Sequence, residues 1–295
     1  MRKRKNIAGV NSSMIRRPIR RWAPLFILPT FLAFCIGFIW PFIQGIYLSF
    51  CNFNTPRDAV FEGLKNYTKV FQDAGFLNAF KNTAAFAVVS IILINVLAFF
   101  IAYALTQKLR GANLFRTVFF MPNLIGGVVL GYIWSLIFDG ILKNYSTYLT
   151  ASGTYGFWGL VILVAWQQIG YMMIIYIAGL QAVSEDMLEA AKIDGAGEVR
   201  TFVDIVFPMI KPGVGALAIF TFINAWNDYF LQLIMLNSQS KLTISLGIAK
   251  MQAEASTDFG LIMAGATLAS VPIITIFLIF QKYFTKGIAM GAVKG

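Results

Sequence analysis

Eight side chains within the apolar parts of the chain have the types and spacing to do chemistry: Asn123, Gln167, Gln168, Tyr171, Asn224, Asn227, Asp228 and Gln232. Gln167, Gln168 and Tyr171 cluster in sequence. Thr221, Asn224, Asn227/Asp228 and Gln232 recur at steps of three and four, which puts them on one helix face. Neutral amides offer both donors and acceptors, and aromatic rings offer flat apolar faces. That combination suits a sugar, whose hydroxyls need hydrogen-bond partners and whose C–H faces pack on rings. Each residue also has a plainer reading. Polar side chains in apolar helices often bond a neighbouring helix, for ~0.6 kcal/mol each, and for any single residue the two readings stand equal. Asn95, midway along another apolar segment, is of the same kind. Asp228 is the one ionisable side chain inside these segments, where charge is costly and usually functional. Near an outer membrane face it also suits a gate or a contact with another protein.

Other chemistries lack their residues. The chain has no histidine, which removes His-based metal sites, triads and proton relays. Cys35 and Cys51 show no metal or redox spacing. No nucleophile, base and acid cluster together, and there is no Walker-type nucleotide motif. The expectation is a non-enzyme that binds no cofactor itself. One Asp and no His also argue against an ion-driven carrier, which usually holds several intramembrane charges.

A second group is acidic. Six of the 13 Asp and Glu residues lie in one short loop: Glu185, Asp186, Glu189, Asp194, Glu198 and Asp204. Ser184 is placed to cap a helix through Met187, Leu188, Glu189, Ala190, Ala191 and Ile193, with two acids in the first turn where the dipole favours them. The Asp194-Gly195-Ala196-Gly197 run breaks that helix, because glycine takes the left-handed cap conformation. A second short helix is expected from Glu198 to about Phe207, stopped by Pro208, with Lys211-Pro212 leading onward. Ala190 and Ala191 leave a thin side that another surface can approach. Loop geometry alone does not distinguish this from a solvated loop.

The elements that hold these groups follow from composition. Of 295 residues, 58% are hydrophobic and 13% charged, with mean hydropathy +0.71; a soluble domain carries about 25% charged residues. Six apolar segments approach or exceed the ~20 residues that cross a bilayer as a helix: about 22–50, 83–107, 117–138, 158–180, 213–236 and 259–281. The expected fold class is an all-α integral membrane protein with six transmembrane helices. The run after Trp22 is too long for a signal-peptide core and lacks a clear cleavage site, so it is read as the first span.

Orientation follows from Lys and Arg. With the N-terminus inside, the inner segments hold eight in the tail, three in 108–116, three in 192–211 and three after Gln281, or 17 in all. The outer segments hold seven: Arg57, Lys65, Lys69, Lys81, Lys143, Lys241 and Lys250. The bias predicts both termini in the cytoplasm, with the acidic loop between helices 4 and 5 also inside. Net charge is +11, but much of it sits in a tail, 1–21, with Arg2, Lys3, Arg4, Lys5, Arg16, Arg17, Arg20 and Arg21. Beside an apolar span such a tail reads as an anchor at anionic membrane lipid. Nucleic acid is not expected, since no aromatic residue interleaves these charges before Trp22. In the first outer loop, Leu64, Tyr67, Val70 and Phe71 recur at helical spacing and predict a short amphipathic helix, interfacial or docking.

The acidic loop carries a longer pattern. Glu189-Ala190-Ala191, three residues, Gly195, nine residues, then Ile205-x-Phe207-Pro208 resembles the EAA loop of bacterial ABC importer permeases, with Phe207 where the signature has Leu. Gly63-Leu64-Lys65-Asn66-Tyr67, Asp194-Gly195-Ala196, Trp226-Asn227-Asp228 and the ending from Gln281 to Gly295 are similar to motifs of the carbohydrate-uptake branch, that of maltose, multiple-sugar and glycerol-phosphate permeases. The chain resembles the shorter, six-span member of a permease pair, covering 22–295 as one transmembrane domain.

The resemblance implies a multi-pass protein of a prokaryotic cell membrane, translocating a sugar by alternating access. Its partners would be a second permease, two cytoplasmic ATPase subunits that hold ATP and Mg, and an extracytoplasmic solute-binding protein. Residues 184–212 would form the coupling loop that docks on an ATPase, with Glu189, Ala190, Ala191, Asp194 and Gly195 at the contact. The related maltose permease binds sugar with its third, fourth and fifth spans. That favours the substrate reading of Asn123, Gln167, Gln168, Tyr171, Asn224, Asn227, Asp228 and Gln232. Polyol, glycerol-phosphate and amino-acid cargo remain as rivals; a phosphate would want a fixed cation in the cavity.

Overall fold

The computed structural model describes residues 12–107, 109–236, 241–254 and 258–292. Arg2, Lys3, Arg4, Lys5 and Lys108, together with the ending 293–295, lie outside the described residues. Helices dominate: α1 (Ser12–Phe34), α2 (Trp40–Leu48), α3 (Lys65–Gln72), α4 (Ala74–Thr106), α5 (Ala112–Phe120), α6 (Gly127–Leu142), α7 (Gly153–Leu180), α8 (Glu185–Ile193), α9 (Glu198–Thr201), α10 (Phe207–Asn227), α11 (Phe230–Met235), α12 (Ile244–Glu254) and α13 (Phe259–Ala292). Two short antiparallel strands, β1 (Cys51–Asn52) and β2 (Val60–Phe61), close the loop after α2.

Among the described residues, five helices are long and apolar enough to cross a membrane. A sixth span exists if α5 and α6 count as one broken crossing, bent by 100°. The third span, expected as one helix over 117–138, is therefore two. The break holds Met121-Pro122-Asn123-Leu124 in a tight 3₁₀ turn, followed by Ile125 and Gly126 in extended conformation. Pro122 lacks the N–H an α-helix needs, and Gly126 and Gly127 are poor helix formers. The fifth span, expected over 213–236, also ends early, at Asn227. Asp228 takes an extended ψ of 131° and its Oδ1 accepts the Leu231 N–H at 3.3 Å, which starts the short α11.

Other boundaries move outward. The second span begins at Ala74, earlier than expected, because Asp73 caps α4 and accepts the Phe76 N–H at 2.7 Å. The fourth begins at Gly153, capped by Ser152. The first is α1 and α2 joined through a π-helical turn at Cys35–Ile39, and no residue of its apolar window is buried within the chain. The tail predicted over 1–21 enters α1 at Ser12.

The centre of the fold is α4 packed along α7 and α10, with α13 against α10. Fully buried Phe86, Ile94, Leu160, Leu163, Met172 and Met173 fill it. Lipid tails are as apolar as these side chains, so close packing and interhelical hydrogen bonds hold such helices rather than the hydrophobic effect. Ala98 and Ala102 on α4 give close contact. The Tyr176 hydroxyl donates to Asn95 Oδ1 at 2.9 Å, and Asn95 Nδ2 donates to Thr221 Oγ1 at 3.3 Å. Asn95 and Thr221 thus join α4, α7 and α10.

The loop between α2 and α4 is built around Asn66. Its Nδ2 donates to the Ser49 and Cys51 carbonyls at 3.1 and 2.8 Å, and Tyr67 Oη lies 2.6 Å from Ser49 Oγ. Gly63, at φ +67°, turns the chain into α3. The buried residues of α3 are Asn66 and Val70, whereas Leu64 and Phe71 are exposed. The expected short amphipathic helix is thus α3: Val70 is fully buried and Tyr67 packs against the core, while Leu64 and Phe71 of the same set stay exposed. Lys69 Nζ reaches Asp258 Oδ2 at 2.8 Å, joining α3 to the start of α13. Burial works against ionised Asp258, but hydrogen bonds from Lys69 and the Leu261 N–H outweigh it and hold the carboxyl below its usual range.

Candidate functional site

Two regions collect the residues singled out by sequence. The first is the loop from Ser184. Helix α8 spans Glu185–Ile193 with Ser184 at its N-cap, although the serine hydroxyl makes no capping bond. The helix closes with the Ala196 N–H on the Ala191 carbonyl at 2.9 Å and the Gly195 N–H on the Lys192 carbonyl at 3.0 Å. Gly195 sits at φ +77°. This paired bonding with a left-handed residue is the Schellman closure, and it explains why glycine suits that position. Glu189, Ala190, Asp194 and Gly195 are exposed. Ala191 is buried, so only Ala190 of the pair faces outward.

Pro208 does not stop the following helix. Residues Glu198–Asn227 run as one rod through α9, a π-helical turn at Phe202–Val206, and α10. In the π turn the backbone ladder shifts by one residue. That register accommodates Pro208, whose ring would otherwise meet the Asp204 carbonyl. Phe202 packs on Phe99 of α4 at a ring-centroid distance of 5.7 Å. The second half of the loop, from Glu198, is thus one continuous helix with the membrane segment it feeds. Ile193 and Val199, 80% and 78% exposed, present apolar groups beside the acids.

The second region is an open cavity of about 280 Å³ lined by Asn123, Gln167, Gln168, Tyr171, Phe220 and Asn224. Its residues come from the break after α5, from α7 and from α10. Tyr171 and Phe220 stand 5.6 Å apart, tilted by 38°, as an aromatic wall. Gln168 Oε1 is buried without a hydrogen-bond partner, and the residue is part of the cavity lining. None of the six lining side chains is a carboxylate, lysine or arginine.

Five predicted residues meet here: Asn123, Gln167, Gln168, Tyr171 and Asn224. Three do not. Asn227 is exposed and donates to the Ile223 carbonyl of its own helix at 3.0 Å. Asp228 caps α11. Gln232 is fully buried, accepting from the Thr243 hydroxyl and donating to the Ala225 carbonyl. The helix ending at Asn227 explains Asp228 and Gln232, because beyond the break the i, i+4 spacing no longer maps onto one face; Asn227, still on the helix, turns its amide back onto the Ile223 carbonyl. Phe220 was missed by the sequence reading. It lies four residues before Asn224, so the helical spacing that marked Asn224 also points to it.

An apolar bundle with one broken crossing, a cavity of amides and rings, and an exposed Schellman-closed loop leading into a cavity helix define a membrane permease. The chain belongs to the family described as "Binding-protein-dependent transport system inner membrane component", which matches residues 110–290. It is thus a non-catalytic ABC transporter permease subunit of the inner membrane. It is 43% identical over 217 residues to the "Probable starch degradation products transport system permease protein AmyD" of Thermoanaerobacterium thermosulfurigenes, covering 70% of this chain and 73% of that one. It is 32% identical over 221 residues to the sn-glycerol-3-phosphate transport system permease protein UgpA of Agrobacterium fabrum (strain C58 / ATCC 33970), with 70% and 74% covered. It shares 30% identity over 267 residues with the diacetylchitobiose uptake system permease protein NgcF of Streptomyces coelicolor (strain ATCC BAA-471 / A3(2) / M145), with 80% and 76% covered. Its fold matches a chain of a bacterial alginate ABC transporter in complex with alginate pentasaccharide-bound periplasmic protein, at TM-score 0.73 and 19% identity, over 90% of this chain and 94% of that one.

Proposed function

We propose that this permease imports an uncharged oligosaccharide, of the kind released from starch, and that the Asn123–Gln168–Tyr171–Phe220–Asn224 cavity is its contact with the sugar. The observation that carries the proposal is the lining: four amides, two aromatic rings, and no carboxylate, lysine or arginine. Sugar hydroxyls bond the amides, and the rings pack against C–H faces. Glycerol phosphate or an acidic polysaccharide would need a cation, which these six side chains lack. The name of the AmyD relative, a system for starch degradation products, agrees with the neutral reading.

Ligand pockets run from ~300 to 1,000 Å³, so this cavity is small and is completed by a second permease. The unburied first span, α1 and α2, supplies surface for that partner or for lipid. Two ATPase subunits hold ATP and Mg on the cytoplasmic side, and a solute-binding protein delivers sugar from outside. The chain lies with both termini inside. Its 184–212 loop is the coupling element: Glu189 and its acidic neighbours pair with a basic cleft on an ATPase, Ala190 permits close approach, and Gly195 closes the turn. ATPase closure then reaches Phe220 and Asn224 through the Glu198–Asn227 rod. Alternating access follows from moving that rod.

The test is uptake of radiolabelled maltotriose by vesicles holding the complete complex, with unlabelled competitors. Maltodextrins should compete, and glycerol 3-phosphate and uronic acid oligomers should not. Equal competition by the anions would end the neutral-sugar reading.

A further inference from the structure

The break between α5 and α6 presents Asn123 to the cavity, yet it leaves backbone groups without helical partners inside an apolar environment, where each needs another partner. Two residues of α7, one turn apart, receive it. Gln167 Nε2 donates to the Ile125 carbonyl at 3.4 Å. Gly170 lets the Phe119 carbonyl come so close that a Cβ there would stand 1.8 Å from its oxygen. Phe119 and Ile125 bracket Asn123.

We infer that Gln167 is a positioning residue: its amide stands in for a missing backbone donor at Ile125, and through that bond it sets where Asn123 stands in the cavity. Its neighbour Gln168 differs: it lines the same cavity, and its oxygen has no hydrogen-bond partner within the chain. The sequence pairs two glutamines; the structure divides their work. One holds the broken helix against α7 and the other meets the substrate. This rests on the cavity being the substrate site, but the positional claim has its own readout.

The experiment uses the complete complex in vesicles, with Cys35→Ala and Cys51→Ala as background and Asn123→Cys as reporter. Gln167→Met keeps the volume and removes the donor. It should change the maleimide labelling rate of the reporter several-fold, while Gln168→Met leaves it unchanged. A second reporter, Asn227→Cys, should not respond to either. An unaltered Asn123→Cys rate in Gln167→Met, or equal changes at both reporters, overturns the inference. The second arm is maltotriose transport. Gln167→Met should raise KM several-fold in the native chain and add nothing in an Asn123→Ala background, because it acts through that residue. Additive effects would mean that Gln167 touches sugar itself and would overturn the positioning role. Absence of maltotriose uptake by the native complex would end the oligosaccharide reading, while the labelling arm still decides the role of Gln167.

Discussion

Gly170→Ala is the sharpest perturbation the packing offers. A Cβ at Gly170 would lie 1.8 Å from the Phe119 oxygen, 2.4 Å from its carbonyl carbon and 2.8 Å from the Phe120 nitrogen, where ordinary contact begins at 3.4 Å. All three atoms are backbone, so no rotamer change relieves the clash. The break and α7 must part by roughly 1.5 Å in a region packed like a crystal. Overpacking of this kind costs about 1–3 kcal/mol, and the added methyl gains little, because lipid solvates it as well as protein does. Separation also strains the Gln167–Ile125 bond, for about 1 kcal/mol more. Loss on that scale should lower the melting temperature of the purified complex by several degrees and cut maltotriose uptake by about tenfold or more, since ~1.4 kcal/mol is a factor of ten. Gly213→Ala is the control, because nothing lies within 4 Å of a Cβ there. Indistinguishable melting and uptake in the two variants would refute the argument that the break is pressed against α7.

Other outcomes follow from the same geometry. Gln168→Ala should reduce maltotriose uptake by about fivefold, the value of one hydrogen bond near 1 kcal/mol, without lowering complex melting; a parallel fall in melting would mark it as helix–helix glue. Gly195→Ala places a Cβ at φ +77°, a strain of ~1–2 kcal/mol, and should uncouple ATP hydrolysis from uptake while the chain stays in the membrane; Gly195→Asn, which tolerates that conformation better, should recover part of the coupling. Thr68→Cys should label from outside and Glu198→Cys only after permeabilisation, and the reverse pattern would overturn the topology and the coupling loop together. The Lys69–Asp258 pair sets a pH dependence. Because the folded carboxyl titrates below its usual ~3.9, its contribution is complete above the unfolded pKa and is lost as pH falls through the folded one. Asp258→Asn should therefore melt lower than the native complex at neutral pH, with the gap closing only in strongly acid solution; a gap that widens on acidification would contradict the pairing.

Much of this protein was legible in one dimension because the bilayer leaves few choices. A backbone in hydrocarbon must satisfy itself, so long apolar runs become helices whatever their neighbours. Local chemistry fixes the short elements as surely. Ser184 followed by Glu185 and Asp186 starts α8, and Gly195, free to take a left-handed φ, ends it through bonds reaching only five residues back. What the tertiary structure alone decided is where helices break and what the breaks then face. Pro208 signals a stop, yet a π turn carries the helix through it. Asp228 and Gln232 continue the periodicity of Asn224, yet the chain turns at Asp228 and sends them elsewhere. Gln167 and Gln168 are the same residue twice over; the carbonyl of Ile125, far off in sequence, occupies one and leaves the other free. Periodicity is a property of a single helix, whereas a cavity is a property of several held at chosen distances. The distances here come from contacts such as Gly170 on Phe119, which no spacing within one segment records.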